Sequence, residues 1–430
     1  MKTKKRHSCY NHVNYMRKYS AVSLVVLVVI IGAIFVSPVG NFLAGVLPLL
    51  RPAPPLLAGT PLPFSLPEGF AAYLYAADVP DARVIIRDPK NTLLVSEPKE
   101  GKVVALPNTD TDLPAEASAQ AGGKADRAVA LLEGLNNPHG LLMRCSETGF
   151  ESVDQDDCML YVAESHRVGA YRYDADTYTA IFERTVTTLP DDGGHHSRTL
   201  MAHPDNKRVL VSVGSSCNVC VEEDERRAAI LAFEPDRNGA TLFATGLRNT
   251  VFMTTHYVTG DIWGTDMGRD NLGDDLPPDE LNIIREGGWY GWPWFYGKNI
   301  EDMKFSPNAR PSFAKEPVPS HIDIPAHSAP LGLAFIPEEG WPEEWWYDLL
   351  VAYHGSWNRS MPTGYKIVRF PLDAHGNPEG PPADFMTGFM GEGSTLIGRP
   401  VDLLVEPGGV MYISDDRAGA IYRIARTGEN

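Results

Sequence analysis

From Phe64 onward, short apolar runs of about five residues recur along the chain, and each is answered by a second run that can pair back on it. The pairs are Leu93–Ser96 with Lys102–Leu106, Leu160–Ala163 with Gly169–Tyr173, and Val209–Val213 with Ala229–Phe233. Ile262–Thr265 with Leu281–Ile284, Leu350–Tyr353 with Tyr365–Phe370, and Met411–Ser414 with Ala420–Ile424 complete the series. The first run of each pair ends in a small or acidic residue, and a variable loop follows it. No convincing long amphipathic helix interrupts the series. Such a repeat predicts an all-β propeller with loops decorating one face. The spacing is irregular, so five, six or seven blades fit it, as do two packed β-sandwiches. Thirty-nine Gly and 35 Pro suit a turn-rich β fold.

The N-terminal region follows a different pattern. Residues 1–18 carry Lys2, Lys4, Lys5, Arg6, Arg17 and Lys18 without an acid, and Tyr19–Leu50 has no charge. A membrane-spanning helix needs roughly 20 apolar residues, which residues 19–40 provide. Basic residues held on the cytoplasmic side predict a single-pass anchor with the bulk of the chain periplasmic or extracellular. A cleaved signal peptide is the rival reading. The expected organisation is a cytoplasmic basic segment (1–18), a transmembrane anchor (19–40), a proline-rich linker (41–63) and a propeller (64–430).

Charge and cysteine usage agree with export and narrow the partners. A net charge of −17 argues against nucleic acid. Cys145 and Cys158 flank an insertion that they could close as a disulfide, as is normal outside the reducing cytosol. Cys217 and Cys220 form a C-x-x-C, which could be a redox pair, half a zinc site or a local disulfide. With no second C-x-x-C and no thioredoxin-like pattern around it, a structural disulfide is expected. Neither pair continues into C-x-x-C-H, so no c-type haem is attached, and Cys9 is expected to be a free thiol.

Candidate chemistry concentrates at Asp261–Pro293, DIWGTDMGRDNLGDDLPPDELNIIREGGWYGWP. Asp270, Asp274, Asp275, Asp279 and Glu280 crowd one loop, and hard cations such as Ca²⁺ take oxygen ligands from such loops. A solvated acidic loop is the plain alternative. The string D-D-x-P-P-D-E-L-N followed by G-G-x-Y-G-W-P resembles the pyrroloquinoline quinone (PQQ)-dependent sugar dehydrogenases of the glucose, sorbosone and pyranose dehydrogenase group. The sorbosone branch is the nearer match. Over roughly Leu66–Thr427 the resemblance implies a six-bladed propeller, with PQQ and Ca²⁺ as cofactors.

A cofactor with three carboxylates makes arginine the natural clamp, because its planar fork grips carboxylate in bidentate fashion. In Gly193–Leu200 (GGHHSRTL), His195 precedes Arg198 by three residues, and the resemblance assigns it the role of catalytic base, with His196 as fallback. In Gly246–Val251 (GLRNTV), it implies that Arg248 and Asn249 contact the quinone, Arg248 also stabilising developing charge. Thr250 stands where the family usually has proline. The turn Met267-Gly268-Arg269 would present the carbonyls of Gly268 and Arg269 to Ca²⁺. In H-G-S-W-N-R (His354–Arg359), Arg359 could pair a cofactor carboxylate and Trp357 could cover the ring or the sugar. Arg399, in Gly398-Arg399-Pro400-Val401, fits the family's late carboxylate-binding arginine. His139 could line the substrate mouth.

The implied activity is oxidation of an aldose or sugar aldehyde by hydride transfer to PQQ. Electrons then pass to a separate acceptor, a quinone or cytochrome, because the chain has no haem or iron–sulfur motif of its own. A Ca²⁺-dependent propeller lactonase would want Glu, Asn and Asp around its metal rather than arginines. A non-catalytic sugar-binding propeller fits the fold equally well.

Overall fold

In the computed structural model, the described residues are 62–108, 125, 127–147, 153–305, 310, 315–391 and 395–427. The expected anchor, the basic segment, Cys9 and all but the last two residues of the linker lie outside them. Among the described residues, no helix is long and apolar enough to cross a membrane.

Six four-stranded antiparallel sheets form a propeller. Blade 1 is Ile85–Arg87, Leu93–Glu97, Lys102–Leu106 and Val129–Leu132, and blade 2 is Gly140–Glu147, Val153–Glu164, Arg167–Asp174 and Thr179–Thr188. Blade 3 is Leu200–Ala202, Val209–Val213, Ala229–Phe233 and Thr241–Thr245, and blade 4 is Thr250–Thr255, Ile262–Asp266, Asp279–Ile284 and Ile322–Ile324. Blade 5 is Pro330–Phe335, Leu349–Tyr353, Lys366–Phe370 and Ala383–Met386. Blade 6 combines Pro400–Glu406, Val410–Asp415 and Ala420–Arg426 with the early strand Phe70–Ala76, which pairs Phe70 with Arg426 and so closes the ring.

All six apolar pairs read from the sequence are second and third strands of blades. Val95, Leu160, Val211, Trp263, Val351 and Ile413 on these strands are wholly buried. Sheets packed face to face bury both surfaces of their inner strands, and that produces unbroken apolar runs. One boundary shifts: Tyr365 adopts φ +56°, so the strand begins at Lys366.

Hydroxyls on second strands tie neighbouring blades together. Ser96 Oγ donates to the His139 carbonyl (2.8 Å), Thr265 Oγ1 to the Leu331 carbonyl (2.7 Å) and Ser414 Oγ to the Arg83 carbonyl (2.5 Å). The Cys145–Cys158 disulfide joins directly opposed residues of blade 2, with Cα atoms 4.0 Å apart. Cys217–Cys220 closes a second disulfide in the loop after Val213.

Candidate active site

Antiparallel pairing places the start of each first strand beside the end of the second: Thr250 opposes Asp266, Pro330 opposes Tyr353, and Pro400 opposes Asp415. Loops leading into first strands and loops leaving second strands therefore share one face. His139, His195, Arg248, Asn249 and Arg399 lie on the former loops; Gly268, Arg269, Trp357 and Arg359 lie on the latter. The propeller thus gathers residues scattered over 260 positions, from 139 to 399, onto a single face.

The closest grouping forms between blades 3 and 4. A side chain at Gly214 would come within 2.4 Å of Asn249 Oδ1 and 2.7 Å of His195 Cβ, so these two residues flank the same glycine. His195 Nδ1 lies 2.9 Å from both the carbonyl and the hydroxyl of Ser215. A carbonyl only accepts, and the hydroxyl donates its own hydrogen to the Cys217 carbonyl (2.8 Å). Nδ1 therefore carries the ring proton and Nε2 the lone pair. Burial, followed by the charge of Arg248, lowers the His195 pKa from 6.5 to about 4. At neutral pH the ring is an unprotonated base in a defined tautomer.

Arginines hold the backbone around it. Arg198, fully buried, donates to the carbonyls of His195 (2.8 Å) and Pro190 (2.8 Å). Arg227 donates to the carbonyls of His195 and Gly214, both at 3.3 Å. Arg248 donates from Nε to the Asn218 carbonyl (2.9 Å), from Nη2 to Asn218 Oδ1 (3.0 Å) and from Nη1 to the Met267 carbonyl (3.0 Å). Its closest carboxylate oxygen, on Asp270, is 4.0 Å away. Neutral acceptors thus fix the guanidinium directly, with the Asp270 carboxylate at the edge of ion-pair range.

The acidic loop divides by burial. Asp266 accepts from the Asn249 amide and the Thr250 hydroxyl, and Asp279 accepts from the amides of Gly268 (2.8 Å) and Ala329 (2.9 Å). Burial raises their carboxyls to about 6 and about 7, and Glu280, which accepts from the Gly297 amide, to about 8. These groups brace the loop through its backbone. Among the described residues, no hydrogen bond reaches the Gly268 or Arg269 carbonyl, while the Arg269 side chain is ion-paired with buried Asp302.

Between blades 5 and 6, Arg399 donates to the carbonyls of His354 (3.0 Å) and Gly355 (2.7 Å) and lies over the Tyr365 ring. His354 Nε2 lies 3.0 Å from both oxygens of Asp416, which also accepts from Arg83 (3.0 Å). Burial, then Arg399, lowers His354 to about 4. Burial opposes ionisation of Asp416, but His354, Arg83 and Arg399 outweigh it and hold that carboxyl well below its usual range. The pair is a neutral imidazole donating to a carboxylate.

The remaining candidates sit further out. Arg359 donates to the Ala326 carbonyl (3.1 Å) and pairs with exposed Asp275 (2.9 Å), and Trp357 is 42% exposed. His196 does not follow His195: it is exposed and lines a cavity of about 210 Å³ together with Arg83, Asn137, His139, Ser197 and Asp416. His139 is buried there and, among the described residues, finds no hydrogen-bond partner at Nε2. Asn218, Ser215 and Asp416 carry much of this geometry and were not singled out in the sequence. Asn218 lies inside the C-x-x-C, whose sequence favours a structural disulfide over a redox pair or half a zinc site and says nothing of the residues between the cysteines.

A pyrroloquinoline quinone-dependent pyranose dehydrogenase from Coprinopsis cinerea is 27% identical over 327 residues, 60% of this chain and 43% of that protein. An uncharacterized protein from Borreliella burgdorferi is 35% identical over 231 residues, 54% of this chain and 60% of that protein. The chain thus spans between two-fifths and three-fifths of the length of these relatives. Among solved structures, the calcium form of a Trichoderma reesei carbohydrate-active enzyme of family AA12 superposes with TM-score 0.69 at 23% identity, covering 87% of this chain and 100% of that one. The holo PQQ domain of the Coprinopsis cinerea pyranose dehydrogenase gives 0.66 at 22% identity, covering 86% and 99%. The PQQ-bound aldose sugar dehydrogenase of Streptomyces coelicolor gives 0.58 at 18%, covering 84% and 99%. At these identities the structures share the fold. The TrAA12-like family matches residues 64–293 and 312–427, and the chain belongs to that family of PQQ-dependent sugar dehydrogenase-like propellers.

Proposed function

We propose that this protein is a membrane-anchored quinoprotein dehydrogenase, nearest the sorbosone branch, that oxidises an aldose or sugar aldehyde. The observation that carries the reading is His195: among the described residues no hydrogen bond reaches its Nε2, its tautomer is fixed by Ser215, and Arg248, with Asp270 4.0 Å away, stands close enough to lower its pKa. The donor set suits a planar polyanion, because buried Arg248 and half-buried Arg399 are oriented by neutral oxygens. It also suits a hard cation at the carbonyls of Gly268 and Arg269.

The chemistry supplied by the bound groups would be hydride acceptance by PQQ and Lewis-acid polarisation by Ca²⁺. Arg248, Arg399 and Arg359 would hold the cofactor carboxylates, Asn249 would hydrogen-bond its ring carbonyls, and Trp357 would cover the ring or the sugar. His195 Nε2 takes the hydroxyl proton of the sugar, a contribution of typically ~10²–10⁴-fold. Arg198 and Arg227 keep the His195 backbone in place while the ring changes charge. Electrons leave to a separate quinone or cytochrome.

The test uses the full chain in detergent, stripped of metal and titrated with PQQ and Ca²⁺, followed by dye reduction on a panel of sugars. Saturable PQQ binding with sugar-dependent dye reduction is expected. Absence of any saturable binding would leave a sugar-binding propeller, and Ca²⁺-dependent lactone hydrolysis without dye reduction would leave a lactonase. Six basic residues ahead of the uncharged stretch support an anchor with the propeller exported. Protease digestion of intact cells should remove the propeller while sparing residues 1–18.

A further inference from the structure

We propose that Asn218 is the positioning residue of Arg248, and that the Cys217–Cys220 disulfide makes this hold sensitive to redox state. Asn218 lies inside the ring that the disulfide closes. Its carbonyl accepts from Arg248 Nε and its Oδ1 from Arg248 Nη2, so one residue supplies two of the three acceptors that orient the guanidinium. Asn218 also reaches the turn that follows Met267. Oδ1 accepts from the Asp270 amide (2.9 Å) and Nδ2 donates to the Asp270 carbonyl (3.3 Å). The third acceptor of Arg248 is the Met267 carbonyl in that same turn. The disulfide loop, Arg248 and the Met267–Asp270 turn therefore form one network with Asn218 at its centre.

The two bonds from Asn218 depend on the disulfide in different degrees. The carbonyl bond is made by backbone, and the backbone at 218 is fixed by a ring spanning only four residues. Opening the ring frees the φ and ψ angles of Asn218 and Val219, so the carbonyl and the side chain lose their common orientation. The disulfide lies at a partly exposed place. Both cysteines are half-buried, and Cys220 lines an open cleft with Asp192, Val221, Glu222 and Arg226. By contrast, Cys158 of the other disulfide is wholly buried. A dithiol reductant would attack Cys217–Cys220, transfer two electrons and two protons, and leave as its own disulfide. Arg248 would then be held by the Met267 carbonyl alone.

What Arg248 grips rests on the dehydrogenase reading; how it is held does not, and the experiment separates the two. Full-length protein in detergent is prepared oxidised, after dithiol treatment, and as the variants Asn218→Ala, Asn218→Asp and Cys217→Ser/Cys220→Ser. Arg248 is labelled with phenylglyoxal without cofactor, its rate is read by peptide mass spectrometry, and PQQ affinity is measured by fluorescence titration. Thiol alkylation identifies which pair has opened. The expected result is that labelling of Arg248 rises about tenfold on reduction, in Asn218→Ala and in the double serine variant. Asn218→Asp, which keeps the acceptor, stays protected. PQQ affinity falls by about the same factor wherever labelling rises. Reduction of Asn218→Ala should raise labelling further, because the substitution removes Oδ1 but leaves the main-chain carbonyl that the closed ring orients. If the double variant does not fold, reversible reduction of folded wild type gives the same readout. Equal labelling in oxidised, reduced and Asn218→Ala protein would overturn the proposal. A rise in Arg248 labelling with no PQQ binding by any form would sustain the positioning role and instead overturn the dehydrogenase reading.

Discussion

The two sides of the candidate site are built from the same parts and do different things with them. Between blades 3 and 4, as between blades 5 and 6, a guanidinium, buried in the first case and half-buried in the second, is held by backbone carbonyls beside a histidine whose pKa is lowered to about 4. The difference lies in what each imidazole donates to. His195 donates to a neutral serine carbonyl and keeps Nε2 for another partner. His354 spends Nε2 on Asp416, a carboxylate already gripped by Arg83. A histidine bonded to a neutral oxygen remains available for proton transfer. One locked to an ionised, doubly gripped acid serves as scaffold. Residue type and a low pKa do not separate the two roles, but the charge of the partner does.

The largest effect that would break this contrast comes from exchanging the histidines' fates. His195→Ala should lower kcat by two or more orders of magnitude with PQQ affinity nearly unchanged. His354→Ala should act mainly on folding. If His354→Ala in still-folded protein removed kcat as completely, the assignment of base and scaffold would have to be reversed. Next comes Asp416→Ala, which leaves Arg83 unpaired and His354 without its acceptor. Breaking a mostly buried pair from one side costs roughly 3 kcal/mol, and the loss should appear as a lower Tm with weakened Arg399-dependent binding. A change under about 0.5 kcal/mol would mean that the scaffold side is not a scaffold.

Smaller effects sharpen the comparison. Arg248→Ala and Arg399→Ala should each weaken PQQ binding about ten- to a hundredfold in a titration, because a charge-assisted contact to carboxylate is removed. Only Arg248→Ala should also change the pH profile. With His195 at about 4 instead of 6.5, kcat/KM should stay level from neutral pH down to about pH 5 and fall with a midpoint near 4. Removing the Arg248 cation should move that limb upward. Both histidines also bear on stability. Each is neutral when folded and protonated when unfolded across the window from pH 6.5 down to about 4. Stability is therefore fully present above 6.5 and is lost as the pH falls through that window. A kcat/KM limb unmoved by Arg248→Ala would show that burial alone sets the His195 pKa. The smallest expected effect is His196→Ala, which should reduce kcat less than tenfold, since its ring lines the cavity with His139 and Asp416 instead of resting on Ser215.

How far these features were legible in the sequence follows from where their signal resides. The inner hairpin of each blade is apolar on both faces, so Val209–Val213 and Ala229–Phe233 announce themselves. Outer strands such as Thr179–Thr188 face solvent on one side and mix in charge, leaving no run to read. The pairing of Phe70–Ala76 with Ala420–Arg426 is a closure across the whole chain, which local periodicity cannot express. His195, Arg248 and Arg399 were legible because their chemistry resides in their own side chains and their motifs. Asn218, Ser215 and the Gly355 carbonyl act through backbone or through ordinary polar groups, and nothing in their residue type distinguishes them from turn residues. The acidic loop gave the opposite lesson. Its carboxylates drew attention as metal ligands, yet Asp279 is occupied with backbone amides, and Asp275 with Arg359 at the rim.

The low pKa of His195 has a consequence for the surroundings in which such a protein can work. Under the proposed reaction an aldose becomes a lactone or acid, and, with the propeller exported as proposed, the medium just outside the cell would sour as turnover proceeds. A base titrating near 6.5 would be silenced by the acid of its own making, and flux would decline long before the sugar ran out. A base that stays unprotonated down to about pH 4 tolerates that drift. The arginine that helps hold the base in this state would also let a cell acidify its neighbourhood without halting its own oxidation of sugar.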